Sequence, residues 1–180
     1  MSQTNKLTGS ERRKTILDWL RKANEPITGG ELANKAGVSR QVIVQDISLL
    51  KAKNKPIVAT SQGYIYMTDQ TESNKWQRII ACHHEPEETR QELECIVDHG
   101  VTVKNVIIEH PIYGDLEASI MVSDRHDVNQ FIDKVASTKA PYLLELTNGV
   151  HLHTIEAESK TKLEAAYQSL KKLGFIIDNK

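Results

Sequence analysis

The sequence contains little cysteine and no long hydrophobic run. Its two cysteines, Cys82 and Cys95, are too few to build a disulfide framework. No apolar run approaches the roughly 18 residues that a membrane-spanning helix requires, and no basic-then-apolar leader opens the chain. We therefore expect a cytoplasmic protein that has no membrane partner.

The chain also lacks internal repeats and low-complexity segments. Its hydrophobic fraction is 39% and its charged fraction is 26%, which is typical of a folded globular protein. A length of 180 residues allows one large domain or two small ones.

The formal net charge of -1 conceals an uneven distribution. Residues 1–68 contain 11 Lys and Arg against 5 Asp and Glu, a balance of +6, whereas residues 69–180 contain 12 against 19, a balance of -7. A basic N-terminal segment suits a polyanionic partner such as DNA, although many solvated helices carry a surplus of lysine.

Three helices are predicted in the basic segment. Ser10 and Ser39 are the expected caps of the first and third helices. Thr28 and Glu31 form a capping box before the second helix, and Gly37 supplies the turn that follows it. The predicted helices cover about residues 10–23, 31–36 and 40–53.

The third helix has two distinct faces. Ile43, Ile47 and Leu50 follow the spacing of a buried stripe, and the opposite face is polar. Exposed amides can read base edges in a major groove, and basic side chains can contact phosphates. The residues that we expect to contact DNA are Ser39, Arg40, Gln41, Val44, Gln45, Ser48 and Lys51.

Two short runs after Pro56, residues 57–60 and 64–67, predict a β-hairpin around Ser61-Gln62-Gly63. Helices separated by a glycine turn and followed by a hairpin indicate a winged helix-turn-helix over residues 1–68. The alternative is an ordinary three-helix core. Residues 69–75 are the expected linker.

Residues 76–180 alternate between predicted strands and helices. We expect an α+β protein whose second domain is a two-layer α/β sandwich with a mostly antiparallel sheet. A hairpin through Thr147-Asn148-Gly149 is expected to join two of its strands. The predicted strands cover 76–83, 101–109, 115–122, 142–146, 150–156 and an edge segment 175–177, and the helices cover 86–98, 126–137 and 160–173.

Two histidines, His151 and His153, are one residue apart on a predicted strand and therefore point to the same face. Together they form half of a metal site, and the stretch from Cys82 to Glu92, with two further histidines, is the candidate for the other half. Imidazoles with a carboxylate suit zinc or nickel. The alternative for the histidine pair is an exposed strand with polar side chains and no metal. Cys82 lies in the same stretch and could be a ligand, and its alternative is a small buried side chain.

A turn over residues 108–115 contains proline and glycine and presents His110 and Tyr113 at one rim of the sheet. These two residues are candidate contacts for a bound effector.

Taken together, these features resemble the niacin-responsive transcriptional repressors of bacteria, the NiaR family, which join a winged helix-turn-helix to a three-histidine domain. The resemblance extends from Arg12 to about Ile177. The most specific stretches are Leu32–Lys53, His84–Glu92, Glu109–Gly114 and Gly149–Thr154.

The resemblance implies repression of genes for the uptake and synthesis of NAD precursors, with nicotinic acid as co-repressor. Carried over position by position, it selects His84 over its neighbour His83, which spacing alone does not do. The doublet His83-His84 departs from the single histidine that we expect in the family. The implied metal ligands are His84, Glu92, His151 and His153.

A metal ion with an open position can bind the carboxylate or the pyridine nitrogen of nicotinic acid. Because one helix-turn-helix reads only a short half-site, a homodimer on a palindromic operator is the expected assembly. Two other classes remain. One is a metal-responsive repressor without an organic effector. The other is a metal-dependent hydrolase, for which no general base stands beside the histidines.

Overall fold

The computed structural model describes residues 7–67 and 74–178. Its contacts divide the chain into two compact units, residues 1–71 and 72–180. Of the linker predicted over 69–75, residues 69–73 lie outside the described ranges. No helix within those ranges is long and apolar enough to cross a membrane.

The first unit consists of three helices and an antiparallel hairpin, as the sequence predicts. Ile16, Leu32 and Ile43, one from each helix, are fully buried in its core. Its elements are α1 (Gly9–Lys22), α2 (Gly29–Ala36), α3 (Arg40–Ala52), β1 (Ile57–Thr60) and β2 (Gly63–Tyr66).

The predicted caps of α2 and α3 are confirmed. Thr28 and Glu31 bond reciprocally, and the Ser39 hydroxyl accepts the N–H of the third residue of α3. The prediction for α1 is wrong, because Thr8 is its cap and Ser10 lies inside the helix. Glu11, three residues after Thr8, completes a capping box, which satisfies two free N–H groups where a lone serine would satisfy one.

A buried carboxylate connects α1 to α3. The Asp46 side chain, 4% exposed, accepts from Arg12 Nε at 2.6 Å and from Arg13 Nη1 at 3.2 Å. These charge-assisted bonds fix the position of the predicted recognition helix.

The second unit is a two-layer sandwich of sheet and helices. Its strands are all antiparallel and lie in the order β3-β7-β5-β6, and β4 pairs with β7. The elements are β3 (Trp76–His83), α4 (Thr89–Val97), β4 (Thr102–Val103), β5 (Val106–His110), β6 (Gly114–Ala118), α5 (Arg125–Thr138), β7 (Val150–Ala157) and α6 (Lys160–Lys172), with 3-10 helices at Pro86–Glu88 and Leu143–Thr147.

Three strand predictions are corrected. The segment 142–146 forms no hairpin with β7, since all of it except the extended Tyr142 belongs to a 3-10 helix; a short apolar run does not by itself distinguish strand from helix. The strand expected over 101–109 is split into β4 and β5. The strand expected over 115–122 ends at Ala118, with a single later bridge at Val122.

We expect Asp46→Asn to lower the free energy of unfolding of the first unit by about 2 kcal/mol, because the buried group loses its charge and keeps its size. Trp19 and Trp76 are the two tryptophans of the chain, so Trp19 fluorescence in a Trp76→Phe background follows the first unit during urea unfolding. The control is Asp18→Asn at an exposed position of α1, which should change stability by less than about 0.5 kcal/mol. Equal effects of the two variants would contradict the role of the ion pairs.

Candidate metal centre and adjoining cavity

Two histidines project from one face of β7 into the interior. His151 and His153 are 1% and 3% exposed, and they lie opposite Cys82 and Ile80 of β3. Alternation along the strand places both imidazoles on the side that the helices cover. They are therefore not the exposed polar pair that the sequence left as an alternative.

Glu92 and His84 complete the group. Glu92 lies on α4, and His84 follows the last residue of β3. Glu92 Oε2 lies 2.8 Å from His84 Nε2 and 3.2 Å from His153 Nε2. Glu92 Oε1 lies 3.1 Å from His151 Nε2. Three imidazoles thus converge on one carboxylate, and we call these four residues the His-Glu cluster.

The far nitrogen of each imidazole faces a backbone carbonyl. Because a carbonyl oxygen only accepts, Nδ1 carries the proton in each ring, and Nε2 of a neutral ring turns its lone pair toward the carboxylate. The Nδ1–H groups of His84, His151 and His153 donate across 2.8, 2.8 and 2.6 Å to the carbonyl oxygens of Glu85, Gly149 and Asn105, respectively.

Burial and attraction act in opposite directions on these groups. Burial raises the pKa of the Glu92 carboxyl, but attraction to His153 and interactions with the nearby rings of His151 and His84 together hold that pKa well below its usual value. Burial also opposes protonation of His84 and His153, yet interactions with Glu92 raise the pKa of both imidazoles above the usual value. The cluster is therefore centred on an ionised carboxylate that requires positive charge nearby.

The donor set fits a divalent metal ion. With the three imidazoles neutral and Glu92 ionised, the four groups turn lone pairs toward one another and supply no proton, so a cation between them would satisfy all four. His84 Nε2 is buried and makes no aligned hydrogen bond, despite its short distance to Glu92. The N–O separations of 2.8–3.3 Å are close to the spacing between neighbouring ligands bound at about 2.1 Å, which is roughly 3.0 Å around an octahedral ion and roughly 3.4 Å around a tetrahedral one.

His83 and Cys82 have different surroundings. The His83 ring is exposed, and its Nε2 lies 3.1 Å from the carbonyl oxygen of Asn148, outside the cluster. The Cys82 donor atom lies within 4.8 Å of donor atoms of Glu92 and His151. Burial and the neighbouring Glu92 raise the pKa of the Cys82 thiol, so Cys82 borders the cluster as a neutral thiol.

A cavity of about 150 Å³ adjoins the cluster, and Glu92, His151 and His153 are among the residues that line it. Thr89 also lines it. The remaining walls are mainly apolar and include Leu93, Val106, Ile120, Phe131, Tyr142 and Leu144.

Sequence reasoning missed these walls, because they come from segments that are far apart in the chain. Thr89 alone carried a local signal. It precedes Glu92 by three residues on α4, and side chains at that spacing lie on the same face of a helix.

His110 and Tyr113, the predicted effector contacts, do not line the cavity within one chain. They lie at the turn between β5 and β6, where Tyr113 is 74% exposed. His110 Nδ1 accepts from the N–H groups of Ile112 and Tyr113 at 3.2 and 3.3 Å. The turn therefore forms these hydrogen bonds within itself, and effector contact by His110 and Tyr113 stays a prediction.

The predicted DNA-contacting side chains lie on the outer surface of the first unit. Gln41, Gln45 and Ser48 are exposed on the side of α3 opposite Ile43 and Ile47. The other predicted contacts are exposed at Ser39, Arg40 and Lys51 and half-buried at Val44.

Gly149 allows β7 to begin directly beside the end of β3. Its φ is +87°, and a Cβ atom there would lie 2.4 Å from the carbonyl oxygen of His84. A side chain at this position would displace the backbone that carries one histidine of the cluster.

We expect Gly149→Ala to lower the stability of the second unit by about 3 kcal/mol or more and to remove metal binding. The matched control is Gly114→Ala, since Gly114 also has a positive φ, +70°, but no atom lies within 4 Å of its added Cβ. The control should lose about 1–2 kcal/mol and keep its metal. Thermal unfolding and metal analysis of the purified variants measure both effects, and full metal content in Gly149→Ala would contradict this expectation.

Both units resemble domains of known proteins. Residues 12–65 match an HTH domain model, and residues 77–179 match the model of the 3H domain. The chain is 56% identical over 178 residues to the transcription repressor NadR of Bacillus subtilis, covering 98% of this chain and 99% of that protein. It is 41% identical over 173 residues to the probable transcription repressor NiaR of Thermotoga maritima, covering 96% and 97%.

Each unit therefore matches a domain model, and the alignment with each of the two repressors covers almost the whole length of both chains. The chain belongs to the NadR/NiaR family of transcription repressors, which combine a helix-turn-helix with a 3H domain.

Proposed function

We propose that this repressor controls genes for the uptake and synthesis of NAD precursors, with nicotinic acid as co-repressor bound beside a metal ion in the His-Glu cluster. The observation that carries the proposal is a buried set of donors suited to a metal ion at the wall of a mainly apolar cavity. The protein would act in the cytoplasm on operator DNA.

His84, Glu92, His151 and His153 would hold the ion, nickel or zinc. When bound, it would supply a positive centre that attracts a carboxylate or a pyridine nitrogen. The hydrogen bonds from the three Nδ1–H groups to backbone carbonyls orient the rings for this task, as outer-shell partners commonly do in metal sites.

The cavity suits a small flat ligand with one charged end. Its volume of about 150 Å³ is small for a ligand site, so it favours a single ring over a nucleotide. Phe131 and Tyr142, whose ring centres are 6.2 Å apart, offer aromatic faces against which such a ring can pack.

DNA binding would use the exposed face of α3. One such face reads only a short half-site, so the repressor would bind a palindromic operator as a homodimer. Nicotinic acid that tightens DNA binding must itself be bound more tightly, by the same factor, when DNA is present.

A metal-responsive repressor without an organic effector is the second candidate. The specific observation in its favour is that four donors already converge, which is the number that completes a tetrahedral structural zinc site. The cavity beside the donors favours the first candidate.

The two candidates differ in what controls DNA affinity. The operator DNA is first identified by selecting duplexes that the purified protein binds. We expect nicotinic acid to increase the affinity for this DNA by about tenfold, a typical size for such coupling. Fluorescence anisotropy measures this before and after a chelator removes the metal, and the tightening should disappear with the metal. If metal alone controls the affinity and nicotinic acid changes nothing, the protein is a metal sensor.

Ligand variants provide a matched control in the same assay. His153→Ala should weaken metal binding by more than about 100-fold, since loss of an outer-shell partner alone costs 10–100-fold, and should abolish the response to nicotinic acid. His126→Ala, at an exposed position of α5, should leave both unchanged.

Variants of α3 separate base reading from phosphate contact. We expect Gln45→Ala to cost about 1–3 kcal/mol on operator DNA and little on unrelated duplexes, because glutamine can pair with adenine. Lys51→Ala should weaken binding to all duplexes and reduce the salt slope by about 1. The control is Lys162→Ala in the second unit, and the measurement is anisotropy titration at several salt concentrations. Equal losses of Gln45→Ala on operator and unrelated DNA would contradict a base contact.

A further inference from the structure

The Thr89 hydroxyl is a buried polar group without a partner in the described part of the chain. Thr89 is 5% exposed, and its Oγ1 makes no hydrogen bond. Almost all buried polar groups in proteins are hydrogen-bonded, and leaving one unpaired costs free energy. Thr89 is one of the residues that line the cavity, so its unpaired hydroxyl points to a ligand bound there.

The usual acceptor for this hydroxyl is already occupied. A threonine in a helix commonly donates to the carbonyl oxygen four residues earlier, which for Thr89 belongs to Glu85. That oxygen accepts from His84 Nδ1 at 2.8 Å and from the Glu88 N–H at 3.0 Å, so both of its lone pairs are used. The arrangement that orients His84 thus leaves Thr89 available to the cavity.

The position of Thr89 relative to the cluster limits what it can bind. Thr89 and Glu92 are three residues apart on α4, and the Cβ atoms of such pairs are separated by about 5–6 Å. If one group of a single-ring ligand binds at the cluster, an atom on the opposite side of its ring therefore lies near Thr89. Apart from Glu92, His151 and His153, the polar side chains among the lining residues are those of Thr89 and the half-exposed Tyr142.

We propose that Thr89 donates a hydrogen bond to the ring nitrogen of the ligand and so selects pyridine carboxylates over carboxylates that lack a ring nitrogen. This inference rests on the proposed function. A divalent ion with one carboxylate ligand leaves a net positive charge in a buried site, which favours the ligand's carboxylate at that end. The ring nitrogen of nicotinic acid then faces away from the cluster and needs a donor, and a threonine hydroxyl supplies one.

The test compares nicotinic acid with benzoic acid, which has the same ring and carboxylate but no nitrogen. Binding of each to the metal-loaded full-length protein is measured by isothermal titration calorimetry. The native protein should bind nicotinic acid about tenfold more tightly than benzoic acid, the worth of one good hydrogen bond. Thr89→Val should bind nicotinic acid about tenfold more weakly, should bind benzoic acid within about twofold of the native protein, and should lose the preference. Thr89→Ser should retain it.

Thr89→Val keeps the shape of the side chain and removes no hydrogen bond of the protein, so its thermal unfolding and metal content should match those of the native chain. If nicotinic acid binds Thr89→Val and the native protein equally well, or if both acids weaken to the same extent, the assigned hydrogen bond is wrong and the proposed function stands. If the metal-loaded native protein binds no nicotinic acid, the proposed function fails and this inference fails with it.

Discussion

The Glu92 carboxylate is the group on which the second unit depends. An ionised side chain that is 1% exposed persists only where positive charge and hydrogen-bond donors surround it. The partners come from β7 and from His84 directly after β3, while Glu92 itself comes from α4. The group therefore ties the neighbouring strands and the helix that covers them to one point, and a slip of one residue in either strand would turn its imidazole to the other face.

The irregular segments of the second unit provide the backbone carbonyls that orient the histidines around Glu92. The break between β4 and β5 occurs at Asn105, whose carbonyl oxygen accepts from His153 and whose side-chain oxygen accepts from the Thr154 N–H at 2.7 Å. The 3-10 helix before β7 leads into left-handed Asn148 and Gly149, and the Gly149 carbonyl oxygen accepts from His151. Regular structure is thus interrupted where backbone carbonyls must face imidazoles instead of strand neighbours.

Local patterns predicted which side chains could meet, and long-range packing decided which did. Strand alternation placed His151 and His153 on one face, and the predicted helix from Pro86 brought Glu92 toward the strand that carries His84. Spacing did not separate His84 from His83, because that choice depends on where β3 ends. The cavity walls were not predictable, since the contacts that form them join α4, α5, the sheet and the 3-10 helix across distant parts of the chain.

Coupling between effector and DNA requires a part of the second unit that changes when the cavity is filled. The His-Glu cluster is a poor candidate, because its imidazoles are buried and each is held by a hydrogen bond from Nδ1 to a backbone carbonyl. Phe131 and Tyr142, by contrast, are half-buried cavity walls on α5 and just before the 3-10 helix. Under the proposed function, a ligand that packs against them would favour one arrangement of this segment, and only such a difference in affinity shifts an equilibrium. The cluster would then act as an anchor, and residues 125–149 would carry the response to the effector.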